Sequence, residues 1–242
     1  MIKYIHGEIY RLLHKKTMYI YFTVLALGYV LLTYVRSGGF TDKSVIADAA
    51  NFFFYLPILA GGFLFAAIYT DDLNSKNLIS LVGFGLSKAK IVISKLILTS
   101  VFSAVIFALA PVLHIGVYSL LGSSAELSPW LTIYALSIKF WLTTIAFSAL
   151  CGVVVYGMQR STFAFVSYIL LAFGIVGGLI SSALSSFAPG ITRFLMSGIT
   201  DEIMAGIING SSLVMPIAAY IIYIAASILL SALAFTKKEM EF

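Results

Sequence analysis

Long apolar runs occupy most of this sequence and restrict the folds that it can adopt. Each run holds about the 20 residues that a helix needs to cross the hydrocarbon core of a bilayer. Only 10% of the 242 residues are charged and the mean hydropathy is +1.04, whereas soluble domains carry roughly 25% charged residues. The sequence therefore predicts an all-α polytopic membrane protein, a single transmembrane domain over residues 1–242. Its six predicted transmembrane helices lie at approximately residues 17–35, 51–69, 91–121, 130–156, 163–184 and 216–235.

The first 16 residues predict an amphipathic helix that lies at the membrane interface. Its apolar stripe, expected to face the lipid, comprises Ile2, Ile5, Ile9, Leu12 and Leu13. The opposite side carries Lys3, Gly7, Arg11, His14 and Lys15. An alternative is that these residues form only a basic flank that fixes the orientation of the first span.

Residues 185–215 predict a re-entrant connector before the last span. The segment is too apolar for a solvated loop, yet it is interrupted at Pro189, Gly190, Gly198, Gly206 and Gly210. We expect short helices that dip back into the outer leaflet, where protein has to cover the irregular backbone.

The distribution of basic residues predicts the orientation of the chain. A cytoplasmic amino terminus leaves only Arg36, Lys43 and Arg193 clearly outside, which the positive-inside rule favours. It places on the inside Lys3, Arg11, Lys15, Lys16, Lys76, Lys88, Lys90, Lys95, Arg160, Lys237 and Lys238. Both termini are therefore expected in the cytoplasm. The formal net charge of +5 is dispersed over span ends, so we expect no nucleic-acid partner.

Motifs for catalysis or metal binding do not occur in the sequence. It contains no phosphate-binding loop and no zinc-binding H-E-x-x-H pair, and His6, His14 and His114 have no ligand spacing. The acidic residues fall at or near predicted span ends, where they form no pair of intramembrane catalytic groups. We expect no catalytic residue, no metal site and no directly bound cofactor, and hence a chain that is not an enzyme.

The main charged interruption lies between the second and third spans, at residues 71–90. Asp71 and Asp72 stand where a short helix would begin, and carboxylates are favourable at that position. Along that helix Leu73, Asn77 and Leu81 share a face that could contact a partner. The alternative is an ordinary solvated loop whose lysines only determine topology.

This arrangement resembles the membrane subunit of ABC-2 type ABC transporters. The resemblance rests on Asp71-Asp72, a short helix over 73–82, Ser87-Lys88 and Ser94-Lys95 at the start of the third span. It also covers the layout of amphipathic helix, six spans and re-entrant connector.

The resemblance implies a permease in a bacterial-type cell membrane, without catalytic activity of its own. It would work with a second permease chain, the same or homologous, and with separate ATP-binding subunits that carry ATP and Mg²⁺. Residues 71–90 would be the coupling loop, and the turn at Arg160 a smaller second contact. The coupling residues would be Asp71, Asp72, Leu73, Asn74, Lys76, Asn77, Leu81, Ser87, Lys88 and Arg160. The implied cargo is hydrophobic or amphipathic, a peptide or lipid-like molecule, as in antimicrobial-peptide export or bacteriocin immunity.

Small residues repeat every fourth position along the predicted fifth span, at Gly174, Gly178, Ser182 and Ser186. Such a stripe lets helices approach closely. It predicts either packing within the chain or a dimer seam that also lines the translocation path.

Lys139 is the basic residue whose position in a predicted span is ambiguous. If the fourth span begins at Trp130, Lys139 lies roughly 15 Å into the helix and is a candidate cargo contact. If residues 130–138 are interfacial instead, Lys139 lies at the outer headgroups.

A rival hypothesis involves no ATP-binding subunit, the motor of the transporter. The chain would then be a membrane immunity or scaffold protein, or a secondary transporter. A secondary transporter usually carries intramembrane carboxylates or internal repeats, and neither is evident in the sequence.

Overall fold

The computed structural model of the protein describes residues 1–36, 42–74, 77–121, 128–187 and 189–237. These residues form helices joined by short turns, and no strand occurs among them. Residues 42–74 form one continuous helix, α3, with π-helical stretches at Pro57–Gly61 and Ala66–Thr70. The other helices are α1 Ile2–Leu13, α2 Lys16–Arg36, α4 Asn77–Gly83, α5 Lys88–Leu120, α6 Ser128–Met158, α7 Ser161–Ala172, α8 Ile175–Phe187, α9 Met196–Asn209 and α10 Val214–Lys237, with a 3-10 helix at Pro189–Phe194 before α9.

Five of the described helices are long and apolar enough to cross a membrane, which identifies a multi-pass membrane protein. They are α2, α3, α5, α6 and α10. The predicted fifth span is not one straight helix, because α7 and α8 meet at an angle of 57°. The number of candidate spans is therefore five, or six if the bent pair counts as one, and the predicted count of six is not confirmed.

Helix α3 begins nine residues before the predicted start of the second span at residue 51. Its first turns are held by Val45, Ala49 and Phe53, which recur every fourth residue and are at most 2% exposed. Farther along, Pro57 has no amide hydrogen to donate and opens the first π-helical stretch. The backbone nonetheless remains in the right-handed helical region through both π-helical stretches.

Contacts between the helices define the two ends of the bundle. Helices α3 and α5 are antiparallel, since Asp72 pairs with Lys95 while Val45 accepts a hydrogen bond from His114. We call the end with residues 71–90 the loop end and the end with His114 the far end. Helix α6 runs antiparallel to α5, because Ser137 bonds the carbonyl of Phe107 while Trp141 Nε1 donates to the carbonyl of Ser100 (3.3 Å).

Helices α6 and α10 are neighbours that run in the same direction. The Tyr220 hydroxyl donates to the Leu142 carbonyl (3.0 Å), and near the other end of the pair the rings of Tyr156 and Phe235 stack with centroids 4.8 Å apart. Both helices therefore start at the far end and finish at the loop end.

A buried histidine closes the far end. His114 Nε2 donates to the Val45 carbonyl (3.0 Å), and the Tyr29 hydroxyl bonds Nδ1. Beside it the Tyr118 hydroxyl donates to Asp48 (2.5 Å). These bonds join α2, α3 and α5 without leaving the histidine ring unpaired.

The connector before the last span is helical, and α9 packs on the first half of α6. Met196, Ile199 and Ile203 of α9 are buried, whereas Asp201 and Glu202 are exposed. Short helices therefore occur where the sequence predicted them. Their depth in the membrane stays a prediction.

Candidate functional site

Four charged side chains meet at the loop end, beneath the residues predicted to couple to a partner. They are Glu8 and Arg11 from α1, Asp72 from α3 and Lys95 from α5, and we call them the loop-end ion cluster. Lys95 Nζ donates to Glu8 Oε2 (3.0 Å) and also contacts Asp72. Arg11 donates to the same Glu8 oxygen (2.8 Å) and lies 3.4 Å from Asp72 Oδ1. Two acids and two bases thus balance each other across three helices.

The centre of the loop-end ion cluster is sealed from solvent. The side chains of Lys95 and Asp72 are 1% and 2% exposed, and that of Glu8 is 13% exposed. An isolated charge would cost several kcal/mol at such a depth, so each partner depends on the others. At the rim, Lys15 pairs with Asp71 and adds a second bridge from α1 to the end of α3.

The electrostatics of α1 follow from this burial. Burial alone would raise the pKa of Glu8, but Lys95 and Arg11 outweigh it and the net pKa is lowered. Burial raises the pKa of Tyr4 to about 12, against the opposing charge of Lys95. The hydroxyls of Tyr4 and Tyr156 are buried without a hydrogen-bond partner among the described residues. Glu8 is therefore charged at neutral pH and Tyr4 is not.

Half of the ten predicted coupling residues face inward or are paired within the chain. Asp71 and Asp72 form the ion pairs described above, and Leu73 and Leu81 pack against the apolar core at the loop end. Lys88 Nζ donates to the Phe235 carbonyl at the end of α10 (2.7 Å). Asn77 and Ser87 are exposed. The side chain of Asn74 and the whole of Lys76 lie outside the described residues.

A strongly exposed apolar residue of the loop was not among the predicted coupling residues. Phe84 is 86% exposed and sits between Gly83 and Gly85. Gly85 has a φ of +81°, which glycine adopts without strain, and this conformation lets the Leu86 amide bond the Leu81 carbonyl (3.2 Å). An open groove of about 290 Å³ separates Phe84 and α4 from α1. In the sequence, the Gly-Phe-Gly triplet was the feature that could have indicated this exposed residue.

The turn at Arg160 lies close to the end of α3. Arg160 is exposed and precedes α7, whose first half runs beside residues 71–74. Gln159 adopts a φ of 53°, an uncommon conformation for a residue with a side chain. The structure thus brings the two predicted inside contacts to the same end of the bundle.

The small residues of the predicted seam that the structure describes lie at the surface of the chain. Gly174 has a φ of +73° at the bend between α7 and α8, and no atom would meet a Cβ added at Gly174 or Gly178 within 4 Å. Gly174, Gly178 and Ser182 are all exposed, and the side chain of Ser186 lies outside the described residues. Among described residues the internal-packing alternative therefore does not apply. The dimer seam stays a prediction.

Lys139 lies in the unbroken helix α6 and is paired. Its Nζ is 2.5 Å from Asp201 Oδ1 on α9, and the two side chains are 21% and 56% exposed. This ion pair links the connector before the last span to the half of α6 that is nearest the far end. A role for Lys139 as a cargo contact stays a prediction.

No group of three potential metal ligands occurs in the part of the chain that the structure describes. Compared with protein-family models and with curated proteins, the chain matches none. The assignment of function therefore rests on the geometry of the chain and on the resemblance stated above.

Proposed function

We propose that the chain is the permease subunit of an ATP-driven ABC-2 type exporter, which receives force at the loop end from a separate ATP-binding subunit. The observation that carries the proposal is the loop-end ion cluster. It links Asp72, where the predicted coupling loop begins, both to α1 and to Lys95 at the start of α5. A push on the loop would move α1, α3 and α5 together, because separating them would leave buried charges unpaired.

The path of the backbone supports six passages between the two ends of the bundle. Helix α6 finishes at the loop end, and α10 starts at the far end. The bent pair of α7 and α8 must therefore carry the chain from the loop end to the far end. With α2, α3, α5, α6 and α10 this makes six passages, and α1 and the end of α10 then share one side, which we propose is cytoplasmic.

One observation speaks for the rival, a secondary transporter. Asp72 is a buried carboxylate paired with a buried lysine, and charged groups of this kind mark ion pathways in transporters. The pair nevertheless lies at helix ends, since Asp72 is two residues from the described end of α3 and Lys95 is in the second turn of α5. A force-transmitting contact fits that location better than an ion site at mid-membrane.

The docking surface is tested by removing the exposed ring at the tip of the loop. We expect Phe84→Ser to lose a stoichiometric ATP-binding subunit that co-purifies with the wild-type chain in mild detergent, as measured by mass spectrometry and ATP hydrolysis. The physical reason is that Phe84 has the greatest exposed fraction among the large apolar side chains of the loop that the structure describes, so the substitution removes apolar surface that a partner would cover.

Phe194→Ser is the matched control, because Phe194 is 55% exposed near the far end. It should retain the ATP-binding subunit. A wild-type chain that carries no ATPase, in a preparation where control transporters keep their complexes, would support the motor-free rival. Equal retention by both variants would exclude Phe84 as the docking residue.

A further inference from the structure

The outward face of α1 differs from the face that the sequence pattern directs toward lipid. Ile5, Ile9 and Leu12 turn inward and pack on the loop-end core, with Leu12 fully buried. Ile2 and Leu13 from the same stripe remain 82% and 47% exposed. The predicted stripe is therefore divided between the protein core and the surface.

The residue types on the exposed half of α1 change in a regular order around the helix. At about 100° per residue, Ile2 and Leu13 form an apolar edge next to the buried side, followed by His6 and Tyr10 and then by Lys3 and His14. All six are exposed. The His14 ring stacks on Tyr10 (centroids 3.9 Å apart) and bonds the Tyr10 carbonyl through Nδ1 (2.9 Å). Apolar, aromatic and basic side chains thus follow one another around the helix. Side chains at a membrane interface have the same order from the acyl chains to the phosphates.

The charge on this face is unbalanced in favour of cations. Glu8 is the acidic residue of α1, and the loop-end ion cluster turns it away from the surface. Lys3 and Lys16 are exposed near the two ends of the face. Immediately beyond Lys16, α2 presents apolar side chains such as Tyr19, Ile20 and Val24, each more than half exposed. The basic face therefore adjoins a surface that lipid has to cover.

We propose that this face of α1, formed by Ile2, Lys3, Tyr10, Leu13 and His14 and extended by Lys16 at the start of α2, binds the headgroups of anionic phospholipids. Ile2 and Leu13 enter the boundary with the acyl chains, and Lys3 and Lys16 contact the phosphates. The inference does not depend on the coupling role of the loop, since it uses only residues that point away from the loop-end ion cluster.

The test uses the full chain in mild detergent, titrated with phosphatidylglycerol or with phosphatidylcholine of the same acyl chains. The readout is the thermal unfolding midpoint. We expect stabilisation by phosphatidylglycerol at lower concentration than by phosphatidylcholine, and loss of this preference at high salt. Each lysine near an anionic surface contributes a factor of about five. Lys3→Gln/Lys16→Gln should therefore weaken the apparent affinity for phosphatidylglycerol by roughly 25-fold.

Two further variants make the outcome decisive. Lys90→Gln/Lys237→Gln removes two exposed lysines of the same end that lie outside α1, and it should keep the preference. Lys3→Arg/Lys16→Arg should restore it. An equal loss in the Lys90/Lys237 variant would show a general effect of charge and overturn the proposal. Unchanged phosphatidylglycerol binding by Lys3→Gln/Lys16→Gln would overturn it as well, and loss of a protein subunit in that variant would then identify a protein-docking face.

Discussion

At the residue scale, Lys95 shows how a charged side chain is kept inside an apolar bundle. Its ammonium group lies between Asp72 and Glu8, and Arg11 shares the same Glu8 oxygen. Because two negative and two positive groups are buried together, removal of one leaves a net charge in a medium of low polarity. The cost of one removal therefore exceeds the contribution of any single contact.

We expect Lys95→Met to destabilise the protein by about 3–5 kcal/mol, since it leaves Asp72 buried without its closest partner. Lys95→Met/Asp72→Leu should recover a large part of this loss, because Glu8 and Arg11 still neutralise each other. Thermal unfolding in one detergent measures both variants. A double variant as unstable as the single one would show that Lys95 and Asp72 stabilise the protein through side-chain packing rather than through their charges.

The sequence signalled Asp72 and Lys95 through their positions beside the charged loop, but it gave no signal for Glu8. Glu8 and Lys95 are 87 residues apart, and neither helical periodicity nor a local motif relates positions at that distance. In a helical projection Glu8 belongs to the polar side of α1, which is ordinarily solvated. Only the packing of α1 against α5 shows that this side faces a buried lysine.

At the element scale, the close approach of α3 to α6 and α7 depends on a glycine. A Cβ at Gly61 would lie 2.2 Å from the Tyr168 hydroxyl and 2.9 Å from a methyl group of Thr144. That hydroxyl donates to the Pro57 carbonyl (2.9 Å) in the π-helical stretch. The irregular part of α3 and the position of α7 are therefore determined by the same contact.

Gly61→Ala is expected to destabilise the bundle by about 1–3 kcal/mol, because the added methyl group displaces Tyr168 from its hydrogen bond. Gly28→Ala is the matched control. Gly28 lies in α2 with no atom within 4 Å of an added Cβ, so its substitution should be neutral or slightly stabilising. Thermal unfolding midpoints compare the two, and equal midpoints would contradict the close contact at Gly61.

Hydropathy located the long helices, because a run of about 20 apolar residues has few alternatives to crossing the membrane. It did not locate the bend at Gly174 or the early start of α3. These two features depend on tertiary contacts and on backbone conformation. Hydropathy averaged over a stretch of sequence carries no information about either.

At the scale of the whole molecule, the antiparallel order of α3, α5 and α6 and the parallel pair of α6 and α10 determine which segments share a face. The first turns of α1 and the end of α10 belong to the loop end, whereas the 3-10 helix before α9 belongs to the far end. The six passages through the bundle that we propose are consistent with these contacts.

Labelling with a membrane-impermeant maleimide tests this arrangement in a background where Cys151 is replaced by Ala. His6→Cys and Lys237→Cys, both at exposed loop-end positions, should react from one side of the membrane, and Arg193→Cys from the other. Cys151 itself is buried, so its replacement removes background without exposing a new surface. Reaction of His6→Cys and Lys237→Cys from opposite sides would require an odd number of passages.

The link between α1 and α5 also orders events while the chain is being made. Helix α1 is synthesised before α5, and Lys95 follows Glu8 by 87 residues. At about 5–20 residues per second, Lys95 is synthesised roughly 4–17 s after Glu8. During this time Glu8 and Arg11 have no buried lysine with which to pair. Until then α1 has to remain in the aqueous or headgroup region, and the charged start of α5 cannot reach its final depth. The ion pairs between α1 and Lys95 therefore form only after α2 and α3 have been synthesised.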